Sequence, residues 1–276
     1  MQGKEPFNFH MILAIDIGNS SISVGLFDIT KDRLPCAVND FKIKTKNYSS
    51  DEYSLIIKDF LRDREINIDL ITDSVISSVV PNLTDTLMSS AYSICSKKPF
   101  LISSGIHTGF GIKIKNPNQL GADIVSNVAA AITIVDPPAV IVDMGTATTI
   151  TVIDENKNVI GTIITPGIGV ALEALNNSAA QLDDISLEPK CELIGRDTRS
   201  SICSGIINGN IYMIDGFIRN IKEELGLKNS EKKLGLIATG GAANLIVPFT
   251  RNKFAYYSNL TLLGEALLYQ KNRKKP

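Results

Sequence analysis

The sequence predicts a duplicated α/β fold, and three observations carry the prediction. The stretch 12-ILAIDIGNSS-21 is an apolar strand that ends in Asp16, one apolar residue, Gly18, and then amide and hydroxyl side chains. The stretch 139-AVIVDMGTATT-149 repeats that order around Asp143 and Gly145 in the second half of the chain. Around both lie runs of strand and helix length in the mixture that an α/β domain needs.

In chain order, 11-MILAIDIGNSSISVGLFD-28 reads as a hairpin, because Ile22, Val24 and Leu26 alternate with small or polar residues after the Gly turn. A strand rather than a helix after the glycine excludes a Walker-type or dinucleotide-binding loop, both of which open a helix there. Residues 51–66 carry apolar side chains at helical spacing behind an acidic start, 74-SVISSVVP-81 is a β-rich run stopped by proline, and 84–95 suits a helix. Gly, Pro and Asn recur over 105–121, which is the expected boundary between domains 11–118 and 119–276. Residues 122–135 read as a helix with Asp123 in its first turn. The second hairpin, 139–154, follows, then a strand over 159–169 and a helix over 170–177. Residues 198–225 predict a long helix with Gly205 and Gly209 inside it. Interior glycines cost about 1 kcal/mol each against alanine, so close packing or a ligand is expected beside them. A strand opening into Thr239-Gly240-Gly241 and a closing helix over 261–272 complete the chain.

At 276 residues the chain is long enough for one large domain or two ordinary ones. Its net charge of −1 gives no basic face for nucleic acid or an anionic membrane surface. No apolar run approaches the roughly 18 residues of a membrane helix, and the leader MQGKEPFNFH lacks a signal-peptide core. Residues 1–10 read as an extension, since Met11 would itself make a natural start. Cys36, Cys95, Cys191 and Cys203 form no C-x-x-C pair and are expected as reduced, mostly buried thiols of a cytoplasmic protein. His10 and His107 are too few for a histidine-built metal site.

An Asp at a strand end holds a cation, and a Gly lets backbone amides approach a phosphate with no Cβ between. Ser20, Ser21, Thr146, Thr148 and Thr149 add neutral hydroxyl donors. Two such turns predict a clasp for a polyphosphate, with Thr239-Gly240-Gly241 as a third contributor.

The ordered set DIGNS (16–20), ISSVVP (76–81), NPNQLGAD (116–123), DMGTATT (143–149), GTIITPG (161–167), TGGAA (239–243) and LTLLGEALLYQKN (260–272) resembles type III pantothenate kinases. That family lies in the acetate kinase, sugar kinase, Hsp70 and actin superfamily. The resemblance implies duplicated actin-like (ribonuclease H-like) domains with mixed sheets and an interdomain cleft. It also implies ATP-dependent phosphorylation of pantothenate, the first step towards coenzyme A, by a homodimer that uses a divalent ion such as Mg2+ and a monovalent one such as K+ or NH4+. It assigns Asp16, Gly18, Asn19 and Ser20 to the ATP phosphates, with Thr146, Thr149, Gly240 and Gly241 beside the nucleotide. Asp16 and Asp143 would attend the metal, Asp123 would be the general base, and Gly121, Ala122 and Thr198 would hold the acceptor.

Three positions depart from the family pattern. Ile124 stands where most members carry an arginine, and an apolar side chain cannot fork onto a carboxylate or phosphate. Arg196 and Arg199 are the candidates to supply that cation. Thr151 stands where an aspartate associated with the monovalent ion is usual, and Ile160-Gly161 replaces a glycine pair. The alternatives are a kinase of the same fold for another small alcohol, and a ligand-binding or transcriptional accessory protein that does not turn over.

Overall fold

The computed structural model describes residues 10–29, 34–178, 187–227 and 233–273. Apart from His10, the expected extension lies outside the described residues. The chain forms two compact units. The first comprises the chain up to Gly109, Asn116–Ala130 and the chain from Asn259 onward; the second comprises Phe110–Lys115 and Ala131–Ser258.

The first unit is built on a five-stranded sheet of order β3-β2-β1-β4-β5. Its strands are β1 (Met11–Ile17), β2 (Ser21–Asp28), β3 (Cys36–Lys44), β4 (Ile71–Ser78) and β5 (Phe100–Leu101). β1 and β2 are antiparallel, as are β2 and β3, whereas β4 runs parallel to both β1 and β5. The helices are α1 (Ser50–Asp63), α2 (Pro81–Cys95), the start of α3 (Ala122–Ile134) and, at the end of the chain, α7 (Leu260–Asn272). Strand alternation sends Leu13, Ile15, Ile17, Ile22, Val24 and Leu26 to one face, where they pack with residues of α1 and α2 such as Tyr53, Ile57 and Leu87. α7 packs against β1, β2 and β4. Ser49 starts α1 through a capping box, its backbone N–H donating to Glu52 at 2.7 Å and its hydroxyl accepting from the Glu52 N–H.

The second unit has β6 (Gly111–Ile112), β7 (Ala139–Met144), β8 (Ala147–Ile153), β9 (Asn158–Pro166), β10 (Gly235–Thr239) and β11 (Ala255–Tyr256). Its sheet order is β11-β10-β7-β8-β9-β6. With β6 set aside as an added edge, β9-β8-β7-β10-β11 reproduces the first sheet strand for strand, including two antiparallel and two parallel pairings. The duplication expected from the two hairpins is thus a property of the whole sheet, and the fold is the duplicated actin-like α/β class. The end of α3, with α4 (Ile168–Ser178), α5 (Thr198–Glu224) and the short α6 (Ala243–Ile246), completes the unit. Ile206, Ile207, Ile211, Ile214 and Ile218 of α5 pack on Val140, Val142, Ile150 and Val152.

Two expectations are corrected and two are sharpened. Cys191 and Cys203 are joined in a disulfide, because the segment before α5 folds back to bring their Cα atoms within 5.9 Å, a tertiary proximity that their spacing does not reveal. Cys95 is a buried free thiol as expected, pushed up to about 11 by burial, whereas Cys36 is free but exposed. Gly205 and Gly209 have no neighbour within 4 Å of where a Cβ would stand, so close packing is not their reason. Pro81 not only ends a strand run but occupies the first turn of α2, where its missing N–H costs nothing.

A tight approach does occur at Gly264 of α7, where an added Cβ would run into the Ser126 carbonyl of α3. Gly264→Ala is expected to lower stability by about 1–3 kcal/mol, the usual cost of overpacking, read as a drop in melting temperature.

Candidate active site

The first turn is held on three sides. The Gly18 N–H donates to the Ser21 carbonyl at 3.1 Å, and a Cβ on Gly18 would stand 2.9 Å from that oxygen. Thr45, just past β3, pins the turn from outside: its hydroxyl donates to the Gly18 carbonyl at 2.7 Å and its N–H to the Ser20 carbonyl at 3.2 Å. Asn19 and Ser20 are exposed at the tip, and Asp16 is half-buried behind them. The Ser77 hydroxyl, itself wholly buried, donates to Asp16 Oδ1 at 2.6 Å. Asp16 and Ser77 are register partners in the parallel β1–β4 pair, so the sheet itself brings them together.

That contact gives 76-ISSVVP-81 a physical reading. Ser77 orients Asp16, and Ser78 accepts from the Val80 N–H at 3.1 Å and from the Thr84 hydroxyl at 2.8 Å, turning the chain into α2. The Val79 N–H donates to the Ile17 carbonyl at 3.0 Å, extending the β1–β4 ladder by one residue.

The Val79 side chain also lies 3.9 Å from where a Cβ of Gly121 would be. Gly121 therefore stands beside the end of β4, the strand paired with the one that carries Asp16. Its carbonyl accepts the Val125 N–H at 3.0 Å, which opens α3 at Ala122 and puts Asp123 in the first turn. The Asp123 carboxylate folds back over Gly121 so closely that any Cβ there would collide with Oδ1. The Ile124 N–H donates to the same oxygen at 2.8 Å. Burial raises the Asp123 pKa above the ordinary carboxylate value, and the helix N-terminal amides only partly oppose it.

In the second unit the turn is Gly145-Thr146, closed by the Gly145 N–H to the Ala147 carbonyl at 3.0 Å. Two further glycines press on it. The Gly167 N–H donates to the Thr146 carbonyl at 3.0 Å, and a Cβ on Gly167 would collide with the Gly145 and Thr146 carbonyls. Gly240, at φ +91°, lies so close to the Met144 backbone that no side chain fits, while the Ala242 N–H bonds the Met144 carbonyl at 3.1 Å. Gly240, with Gly241 exposed beside it, is thereby brought to the Asp143 turn. Asp143 and Thr149 are register partners and share a face. Thr148, expected among the hydroxyl donors, is instead opposite Met144 and wholly buried, because strand alternation turns it to the other side.

Thr198 lies at the start of α5, capped by Asp197, whose carboxylate accepts the Ser200 N–H at 2.8 Å. With Arg196 and Gly205 it lines a cavity of about 600 Å3, and none of the residues of the Asp143 turn lines it. Arg199 stands 3.9 Å from Glu188. Ile124 is only 8% exposed, an apolar packing residue. Thr151 is buried and paired with Ile141, on the strand face of Asp143 and Thr149.

Sequence reasoning missed Thr45, Ser77 and Glu265. The first two are ordinary hydroxyls whose meaning comes from the strands they face. Glu265 of α7 is completely buried, lies against Ser77 and the Ile15 backbone, and feels the charge of Asp16. Burial, reinforced by Asp16, holds its carboxyl well above the usual range. No group of three or more His, Cys, Asp or Glu gathers as a metal cluster among the described residues. A Mg2+ ion carried on phosphate oxygens needs only one or two protein carboxylates. Half-buried Asp16, beside the Gly18 turn where a Cβ would crowd the Ser21 carbonyl, and half-buried Asp143, beside the turn on which Gly167 and Gly240 press, each have the chemistry to face such an ion.

Two copies of one sheet, each ending in a carboxylate and a glycine turn, define an actin-like α/β protein. The family model for type III pantothenate kinase matches residues 12–220, and the chain belongs to that family. It is 35% identical over 266 residues to a type III pantothenate kinase of Agathobacter rectalis, covering 96% of this chain and 99% of that one. It is 37% identical over 264 residues to one of Exiguobacterium sibiricum, covering 95% and 100%. Among solved structures, a Baf family protein from Campylobacter jejuni superposes with a TM-score of 0.55 at 19% identity, over 94% of this chain and 98% of that one, a likeness of fold.

Under the role proposed for Asp123 below, Gly121→Ala is expected to lower kcat by about 100-fold, because it displaces that carboxylate. Steady-state kinetics beside a melting curve checks that the loss is not one of folding.

Proposed function

We propose that the chain transfers the γ-phosphoryl group of ATP to the primary hydroxyl of pantothenate, giving 4'-phosphopantothenate at the start of coenzyme A synthesis. Membership of the type III pantothenate kinase family carries this reading. The observation of the structure that supports it best is the Asp123 carboxylate, seated in a first helical turn over Gly121, beside the end of the strand paired with that of Asp16.

Phosphoryl transfer asks mainly for positioning and neutralisation of charge. Asp16, Gly18, Asn19 and Ser20 would hold the ATP phosphates through backbone amides and hydroxyls, as would Thr146, Thr149, Gly240 and Gly241. Asp16 and Asp143 would face Mg2+, which when bound neutralises developing phosphate charge. Asp123 orients the acceptor hydroxyl through a charge-assisted hydrogen bond and takes its proton as the oxygen bonds to phosphorus. Gly121, Ala122 and Thr198 would hold pantothenate, with Arg196 in the Thr198 cavity as the cation in place of Ile124.

Thr151 is a hydroxyl where a carboxylate would hold a monovalent ion, so K+ or NH4+ is expected to stimulate weakly. A homodimer in the cytoplasm completes the proposal; no helix among the described residues is long and apolar enough to cross a membrane. As copies along the chain we keep 11–118 and 119–276, although the closing helix returns to the first compact unit.

A coupled ADP-release assay with pantothenate and a panel of small polyols and hydroxy acids, with and without K+, tests the proposal. Turnover of pantothenate is expected; turnover of another alcohol alone, or nucleotide binding without turnover, would replace it by one of the alternatives. Asp123→Asn is expected to lower kcat about 10²–10⁴-fold, the range for loss of a general base.

The raised pKa of Asp123 also sets two pH effects. The base works only when ionised, so kcat rises with pH through a pKa above the ordinary carboxylate value and then levels off. Because the folded pKa exceeds the unfolded one, the stability that Asp123 contributes is full below the unfolded pKa and is lost as pH rises through the folded one. Asp123→Asn cannot ionise, so at neutral pH it is expected to melt no lower than wild type while its activity is lost.

A further inference from the structure

Glu265 has no part in the reading above, yet it is a carboxyl placed where an apolar side chain would ordinarily sit. It is 0% exposed, and its neighbours along α7, Leu262, Leu263, Ala266 and Leu268, are buried and apolar. Neither of its oxygens makes a hydrogen bond of ordinary geometry among the described residues. A buried polar group without such a bond destabilises a fold, and positions that break a local rule in this way gather at functional sites. Glu265 lies against Ser77, the residue whose hydroxyl donates to Asp16 at 2.6 Å, and it feels the charge of Asp16 itself.

The helix that presents it is fixed in place. Gly264, its neighbour, meets the Ser126 backbone without room for a Cβ, and the Thr261 hydroxyl bonds Asn127 at 2.9 Å. Ser126 and Asn127 belong to α3, the helix that begins with Ala122 and Asp123. α7 is therefore locked to the helix of Asp123 on one side and stands over the strand of Asp16 on the other, with Glu265 at the point of contact.

We propose that Glu265 is a positioning residue for Asp16. Packed against Ser77 and the β1 backbone, it holds the Ser77 hydroxyl and the Asp16 carboxylate in one arrangement and ties that arrangement to the helix carrying Asp123. The inference rests on the reading of Asp16 as a group that receives the Mg2+-bound phosphates.

The test compares Glu265→Leu, Glu265→Gln and Asp16→Asn by isothermal titration with Mg2+ and a non-hydrolysable ATP analogue, beside melting curves and steady-state kinetics. Loss of an outer partner of a metal-facing group weakens binding by about 10–100-fold, and that loss is expected for Glu265→Leu. Its melting temperature should equal or exceed that of wild type, and its KM for pantothenate should stay within about twofold. Gln keeps the shape and polar atoms of Glu and should recover most of the binding. A purely structural Glu265 would give the reverse order, with Leu the better tolerated. Glu265→Met, of similar volume and unbranched, takes the place of the leucine variant if that chain does not fold. Wild-type binding in the apolar variants together with weakened binding in Asp16→Asn would overturn the inference alone. Unchanged binding in Asp16→Asn would overturn the reading of Asp16 and the inference with it.

Discussion

The site depends on one constraint: a carboxylate must reach the end of a buried strand while the turn beyond it keeps its backbone open to a ligand. Apolar residues carry β1 and β7 through the sheet, and the polar group appears only at the last turn of each strand. Beyond it, a side chain on Gly18 would crowd the Ser21 carbonyl, and one on Gly167 or Gly240 would strike the neighbouring turn. These glycines are required by close approach of backbone to backbone, and Gly240 additionally by its positive φ.

The two turns solve that constraint differently. In the first unit the support comes from side chains: Thr45 bonds the turn and Ser77 bonds the acid. In the second it comes from glycine backbone pressed on the turn from Gly167 and Gly240. The sheets are alike in order and sense, so the difference lies in what each unit lays over the strand ends. α7, which belongs to the first unit although it closes the chain, adds a buried acid that has no counterpart among the described residues of the second.

Asp123 shows how local chemistry and packing combine. A first helical turn favours its ionised form through the backbone amides, while burial favours the neutral form, and burial is the larger effect. Such a carboxylate, once ionised, is a better proton acceptor than an exposed one. Gly121 makes the arrangement possible by leaving the space into which the carboxylate folds.

Much of this was legible in the residues. Period-two alternation marked both hairpins, helical spacing marked α1, α3 and α7, and the repeated Asp-x-Gly order announced a duplication that the sheet topology bears out. β3 was not legible, because 36-CAVNDFKIK-44 is an edge strand whose largely exposed residues do not keep the alternation. Thr148 could be assigned to neither face until its register with Met144 was known. The Cys191–Cys203 bond, the Ser77 contact with Asp16 and the burial of Glu265 each join residues distant in the chain or set by loop geometry. The sequence by itself determined the strands, the turns and the acids at their ends, because those follow from local periodicity and from what glycine and aspartate do in a turn. Which hydroxyl meets which acid, and which glutamate is buried beside them, only the tertiary structure decided, because such contacts are made across strands and helices that no local pattern encodes.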